Sequence, residues 1–412
     1  MGAGPNELKP WLMNISTGAF TARYVVIPDD QRTGMNLTLA DRKRLNQLLE
    51  DLTHYRETEL GYPVAFDIDI KPLVPFLGYS LNNVGDPWHE AHYRINTREF
   101  EREVLAFFAA LTHAPEDDWW GYVTNGGTEG NLYGMYLARE LFPDGIVYFS
   151  RDSHYSVAKN LHFLGMRNIM IRSQPNGEMD YDDLRETIRI RRDAPPIIFA
   201  NIGTTMTEGR DDIRLIGSIL DNMAIDKRYI HSDAALCGGY AAFLDPPPAW
   251  NFADGADSIS ISGHKFFAMP IPCGIVLARK RFVDRVAHSV AYIGTRDTTI
   301  SGSRSGFTVM GLWWAIRTLG MDGMRARLEQ SIELARYAEK TFRQAGIDAK
   351  RNKNALTVVF PRPHEQVCEK WQLATAGDIS HIVCMPHLRK EQINALLEDI
   401  IASEQPEQGM TA

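Results

Sequence analysis

From residue 120 onward the chain repeats one pattern, a short apolar run followed by a longer helical or polar stretch. The runs are Gly121-Tyr122-Val123, Ile146-Val147-Tyr148-Phe149, Ile197-Ile198-Phe199-Ala200, Tyr229-Ile230-His231 and Gly274-Ile275-Val276-Leu277. Strands that alternate with helices predict an α/β fold with a large, mostly parallel sheet covered on both faces. In such sheets ligands gather beyond the carboxyl ends of the strands. Several polar groups stand at those ends. Asn125-Gly126-Gly127-Thr128 follows the first run, and Gly203-Thr204-Thr205 follows Ile202. Asp233 comes soon after Ile230, and Lys265 follows the alternating stretch Asp257-Ser258-Ile259-Ser260-Ile261.

The flanks read differently. Residues 1–40 carry no clear pattern, but 39–55 has helical spacing through Leu45, Leu48, Leu49 and Leu52. A second amphipathic helix spans 100–111. Beyond 310 the expected elements are helices over 312–319 and 324–345, a strand over 357–360 and a terminal helix over 391–401. The expected division is an N-terminal helical segment, 1–60, a large domain, 61–309, and a small α/β domain, 310–412.

Composition removes several classes of function. The net charge of the 412 residues is -8 and no basic stripe occurs, which argues against a nucleic-acid partner. No apolar run approaches the ~18 residues of a membrane span, and no signal-peptide pattern opens the chain. Cys237, Cys273, Cys368 and Cys384 are widely spaced without a CxxC pair, as expected of a reducing, cytoplasmic compartment. His231 and Asp233 are two apart, but no HExxH or similar framework completes a metal site, so none is expected.

The lysine in Ser262-Gly263-His264-Lys265 is the odd group. Burying an ammonium is costly unless it is neutralised or used. One use is a Schiff base to pyridoxal phosphate (PLP); the bland alternative is a surface lysine after an edge strand. PLP also needs backbone donors for its phosphate, a carboxylate for its pyridine nitrogen and a flat neighbour for its ring. Gly126-Gly127-Thr128 precedes a helix over 132–141, with Thr128 expected as its N-cap. Asp233, followed by Ala234 and Ala235, suits the carboxylate, with room beside it for a ring. His154, in Asp152-Ser153-His154-Tyr155-Ser156, suits the flat neighbour. Each has an ordinary reading, respectively a glycine turn, a turn-capping aspartate and a loop histidine. Their conjunction favours PLP.

These segments, with Asn201-Ile202-Gly203-Thr204-Thr205, occur in an order and spacing that resembles the group II PLP-dependent amino acid decarboxylases of fold type I, the aspartate aminotransferase-like fold. The nearest likeness is to bacterial histidine decarboxylases and plant serine decarboxylases, over residues 61–401. The resemblance implies that Lys265 carries the cofactor and that His264 lies against phosphate or substrate. It also implies that Asp233 holds the pyridinium, His154 stacks on the ring and Ala235 packs on the other face. Gly127, Thr128 and Ser262 would bind phosphate, with Thr205 a further cofactor contact. Tyr292, on a lid-like stretch, would return a proton to Cα after CO₂ leaves.

Asn82, Asn83 and Ser303 match the family's substrate side. The expected reaction is decarboxylation of L-histidine to histamine. The alternatives are L-serine to ethanolamine, another small polar amino acid, or an aminotransferase or retro-aldol lyase of the same fold. An aminotransferase would use an arginine for the substrate carboxylate, and Arg362 is the residue to examine. Where relatives read Ser-Arg-Asn-Gly-His, this chain has Ser303-Arg304-Ser305-Gly306-Phe307. A homodimer with its active sites at the interface is implied, with a small amino acid as substrate.

Overall fold

The computed structural model describes residues 37–286, 288–290 and 295–404. Helix α1 (Leu39–Thr58) opens the described chain. Thr38 and Asp41 cap it reciprocally, the Asp41 amide donating to Thr38 Oγ1 at 3.2 Å and the Thr38 amide to Asp41 Oδ2 at 3.1 Å. None of its residues is buried, and Leu45, Leu48, Leu49 and Leu52 are exposed along it.

From Thr58 onward the elements run α2 (Arg98–Leu111), β1 (Trp120–Thr124), α3 (Gly127–Leu141), β2 (Ile146–Ser150), α4 (Ser156–Leu164), β3 (Arg167–Ile171), α5 (Tyr181–Ile190), β4 (Pro196–Asn201), α6 (Ile213–Asn222), β5 (Tyr229–Asp233), β6 (Ser258–Ser262) and β7 (Gly274–Ala278). Among the described residues these seven strands form one sheet in the order β1-β7-β6-β5-β4-β2-β3. The β3-β2-β4-β5-β6 pairings are parallel, and β7 is reversed between β6 and β1. The sheet is therefore mixed and mostly parallel, as expected. Every residue of β1, β2, β4, β5, β6 and β7 is buried, which is why these strands read as apolar or small-residue runs. The edge strand β3, Arg-Asn-Ile-Met-Ile, is largely exposed and carries no such signal.

Then come α7 (Lys280–Val283), the short pair β8 (His288–Val290) and β9 (Thr295–Asp297), and the long helix α8 (Gly306–Gln344). A kink at Gly320, φ 59°, divides α8 where the two expected helices were separated. Met324 and Leu328 belong to the core under the large sheet, whereas Leu334, Ala335, Ala338 and Phe342 belong to a second core. That second core lies under β10 (Thr357–Pro361), β11 (Ala374–Ala376) and β12 (Ile379–Val383), with α9 (Glu365–Lys370) and α10 (Lys390–Glu404). The small sheet is antiparallel, in the order β10-β12-β11.

Candidate active site

The parallel strands deliver their carboxyl ends to one cavity, lined among others by Gly127, Thr128, His154, Thr205, Asp233, Ala235, Ser262, His264 and Lys265. All nine residues expected around PLP thus meet in one place. Their sources are the start of α3, the β2–α4 turn, the loop after β4, the end of β5 and the end of β6.

Helix α3 begins at Gly127 with Gly126 as N-cap, and no side chain caps it. The expectation for Thr128 is corrected here: it sits inside the first turn. Its hydroxyl and the first amides of α3 are then available to an anion, since the opening N–H groups of a helix have no intrahelical partner. Gly127 is needed for close approach, because a Cβ there would lie 2.8 Å from Ser262 Oγ and 3.3 Å from Ala235 Cβ.

Asp233 is 7% exposed. Its Oδ1 accepts from the Ala235 amide at 3.1 Å and its Oδ2 from Asn131 Nδ2 at 2.8 Å. Burial raises the Asp233 carboxyl above the usual carboxylate range, and these donors, with the nearby Lys265 and His154, offset only part of that rise. Burial likewise pushes the Lys265 ammonium down, opposed by Asp233 and Cys237. His154 Nδ1 accepts from the Ser156 amide at 3.3 Å and lies 2.8 Å from Ser156 Oγ, which leaves the ring proton on Nε2. His264 Nδ1 donates to the Cys273 carbonyl at 2.9 Å. Burial lowers both histidines, so both are held neutral.

The loop after β4 is fixed from behind. The Gly209 amide donates to Thr204 Oγ1 at 2.8 Å, and the Glu208 amide to the Thr204 carbonyl at 2.8 Å. Glu208 is fully buried. Its Oε1 meets Arg210 Nη2 at 2.6 Å and the Tyr240 hydroxyl at 2.8 Å. Its Oε2 accepts from the amides of Leu356 and Thr357 at 2.7 and 2.9 Å, so one carboxylate ties the cofactor-side loop to β10.

The substrate-side expectations fare unequally. Asn82 Nδ2 donates to Ser303 Oγ at 3.1 Å and Asn82 Oδ1 accepts from the Arg304 amide at 3.1 Å, so these two segments do meet. Neither residue lines the cavity that holds Lys265. Asn83 is corrected: it is 0% exposed, Nδ2 donates to Glu101 Oε2 at 2.7 Å and Oδ1 accepts from the Thr97 amide at 2.8 Å. Fully buried and bonded inward through both ends of its amide, it presents nothing to a ligand. Ser305 is the N-cap of α8, accepting from the Thr308 amide at 3.2 Å, and Phe307 packs with Leu73 and Met310. Both departures from the relatives' pattern thus have structural work. Arg362 lies at the end of β10's strand pairing, exposed and paired with Glu365 at 2.5 Å, away from the cavity. Tyr292 lies outside the described residues.

Sequence reasoning gave no individual role to Asn131, Ser156, Asn201, Gly203 and Thr204, which also line the cavity. A signal existed for Asn131: it stands one turn beyond Gly127, on the same face of α3. Asn201 ends β4 and donates to Ser150 Oγ at 3.1 Å.

A lysine, a buried carboxylate and an open helix N-terminus at the carboxyl edge of a mostly parallel sheet define a PLP-dependent enzyme of fold type I. The donor set fits PLP, with amides and hydroxyls for a phosphate and Asp233 for a ring nitrogen. The pyridoxal-dependent decarboxylase conserved domain matches residues 77–360, and the chain belongs to that family. It is 49% identical to a histidine decarboxylase of Mesorhizobium japonicum over 360 residues, covering 87% of this chain and 97% of the relative. It is 46% identical to one from Acinetobacter baumannii over 370 residues, covering 89% and 97%. Among solved structures, L-methionine decarboxylase from Streptomyces sp. 590 superposes with a TM-score of 0.82 at 26% identity, covering 89% of this chain and 96% of that one. A glutamate decarboxylase of Lactobacillus brevis, TM-score 0.77 at 17% identity, shares the fold.

Proposed function

We propose that this chain decarboxylates L-histidine to histamine and CO₂ with PLP. The observation that carries the reading is the single cavity joining Lys265, Asp233, His154 and the start of α3, in a chain so similar to histidine decarboxylases over most of its length. Bound PLP supplies an electron sink for the pair left at Cα when the carboxylate departs.

The chain's own residues then have these roles. Lys265 Nζ, held toward its neutral form by burial, would be the nucleophile that holds the cofactor. Asp233 would keep a proton on the ring nitrogen, and the N-terminus of α3 with Thr128 and Ser262 would receive the phosphate. His154 would cover one ring face and Ala235 the other, with Thr205 a further cofactor contact. His264, fixed through Nδ1, offers Nε2 as an acceptor toward the cavity. Tyr292 returns the proton to Cα. Ser303 and Asn82 line the substrate side, where a second copy of the chain completes the site.

One observation supports that homodimer. Tyr62, Phe66, Val74, Phe76, Leu77, Tyr79, Trp88, Tyr93 and Ile95 are large apolar residues exposed in the segment beside Asn82. Patches of this kind mark protein contacts. The division at about 60 and 310 belongs to the same proposal; the two sheets have separate cores, but Leu312, Ala315, Met324 and Leu328 still belong to the large one, so on α8 the change of core falls between Leu328 and Leu334. A cytoplasmic location is supported by four buried, free cysteines. Among the described residues no helix is long and apolar enough to cross a membrane.

The deciding experiment is amine release from each of the twenty amino acids, with histidine and serine at equal concentration. Histamine should dominate. Ethanolamine in excess would move the substrate to serine, and a keto acid in place of CO₂ would replace the reaction class.

A further inference from the structure

His231 is 0% exposed and has no part in the chemistry above, yet it sits two residues before Asp233 on the same face of β5. Helix α3 covers that face. His231 Nε2 lies 2.9 Å from Asn131 Oδ1, and His231 Nδ1 lies 2.7 Å from Ser258 Oγ. Asn131 Nδ2 in turn lies 2.8 Å from Asp233 Oδ2. All four residues are buried.

The donor directions in this chain follow from its far end. An ionised carboxylate only accepts, so Asn131 turns its NH₂ to Asp233 and its oxygen to His231. That oxygen only accepts, so His231 must carry its proton on Nε2. His231 Nδ1 is then an acceptor, and Ser258 donates to it. The bonds run one way: Ser258 to His231, His231 to Asn131, Asn131 to Asp233. Reversing the Asn131 amide would place its oxygen against the Asp233 carboxylate, which only a protonated carboxyl could tolerate. Orientation of the Asn131 amide and ionisation of Asp233 are therefore one variable. Burial supports this polarity, because it lowers His231 to about 3 and keeps the ring neutral.

The backbone makes room for the arrangement. A Cβ at Gly134 would lie 2.3 Å from His231 Nδ1 and 2.9 Å from Ser258 Oγ. Glycine at this point of α3 lets the helix dock close enough for Asn131 to reach both neighbours.

We infer that Asn131 and His231 are positioning residues that hold Asp233 ionised and aimed at the cofactor's ring nitrogen, His231 acting as a fixed neutral Nε2–H donor. The inference rests on the proposed role of Asp233. It extends the set of residues that set the cofactor's electronics beyond the cavity wall, to a histidine that touches neither cofactor nor substrate.

The test uses the holoenzyme and two readouts besides turnover, the PLP dissociation constant and the pH at which the visible band of the bound cofactor changes. Asn131→Ala, which removes a hydrogen bond to a charged group, should weaken PLP binding by about tenfold or more, and His231→Phe, which removes one between neutral groups, by about two- to tenfold. Each should also move the pH of the spectral change. His231→Gln, whose Nε2–H can reach the same oxygen, should restore most of both. Wild-type affinity and an unmoved spectral transition in both Asn131→Ala and His231→Phe would overturn the inference. Asp233→Ala, run in parallel, separates the two levels. If it too binds PLP as tightly as wild type, the role of Asp233 falls; if it alone weakens binding, only the relay falls. Should the variants not fold, ¹⁵N-histidine NMR of the wild-type holoenzyme decides. A neutral Nε2–H form for His231 at neutral pH upholds the assignment, and an Nδ1–H form or an imidazolium refutes it.

Discussion

Asp233 and Ser303 stand at opposite degrees of enclosure. The Asp233 carboxylate is buried, with both oxygens engaged by donors from its own chain. Ser303 is exposed and bonded to Asn82, itself only half-buried, outside the cavity that holds Lys265. The difference separates two tasks. Under the proposed roles, reaction type would be set by the enclosed residues of one chain, and substrate choice by a surface that a second copy would finish. Mutations in the first region should act on chemistry or stability, and those in the second on selectivity.

The largest expected effect lies in the first region. Lys265→Ala should lower histamine formation by on the order of 10³-fold or more and remove the visible band of protein-bound cofactor. Retained turnover in that variant would break the comparison at its root. Next comes the buried pair Arg304–Glu101, which lies between the regions. Arg304 also donates to the Gly85 carbonyl at 2.8 Å, and its guanidinium lies over the Tyr122 ring. Arg304→Met strands a buried carboxylate and should cost about 3–5 kcal/mol in denaturant unfolding.

The pH dependence of stability gives a third measure of the enclosed region. His231 binds a proton near pH 6.5 in the unfolded chain but only near 3 when folded. Between those values the unfolded state holds the extra proton, so stability falls as pH falls, by about 1.4 kcal/mol per unit at most. Above pH 6.5 the effect vanishes. Denaturant midpoints at pH 7, 6 and 5 should therefore drop less steeply in His231→Gln than in wild type, and equal slopes would contradict a neutral native His231.

The smallest effects belong to the exposed edge. Ser305→Ala removes the N-cap of α8 and should cost about 1 kcal/mol in thermal unfolding, with the preference for histidine unchanged. Ser303→Ala should do the reverse. It would change kcat/KM for histidine by about 0.5–1.5 kcal/mol with stability and PLP affinity retained. If Ser303→Ala altered PLP affinity instead, the separation between the two regions would not hold.

The sequence carried the enclosed region better than the edge, for physical reasons. Lys265, Asp233 and Thr205 stand after runs of buried residues, and buried parallel strands announce themselves as such runs. Strand β3 does not, because its side chains are mostly exposed. Asn83 was legible as a polar residue before a turn, but its partners Thr97 and Glu101 lie 14 and 18 residues away. Only the docked chain shows that they engage both ends of its amide. Thr128 was misplaced by a few residues of helix boundary, since a glycine-started helix carries no side-chain cap to mark its first turn. The reach of Asn131 depends on how closely α3 docks, a distance that Gly134 permits but does not announce.

Glu208 carries a consequence for modularity. Its carboxylate is shared between Arg210 and Tyr240 on one side and the amides that open β10 on the other. Removing the C-terminal part would leave a buried anion facing a void, directly behind the loop that bears Thr205. A truncated chain ending before β10 is therefore no minimal enzyme. The two sheets are obliged to be inherited, and lost, together.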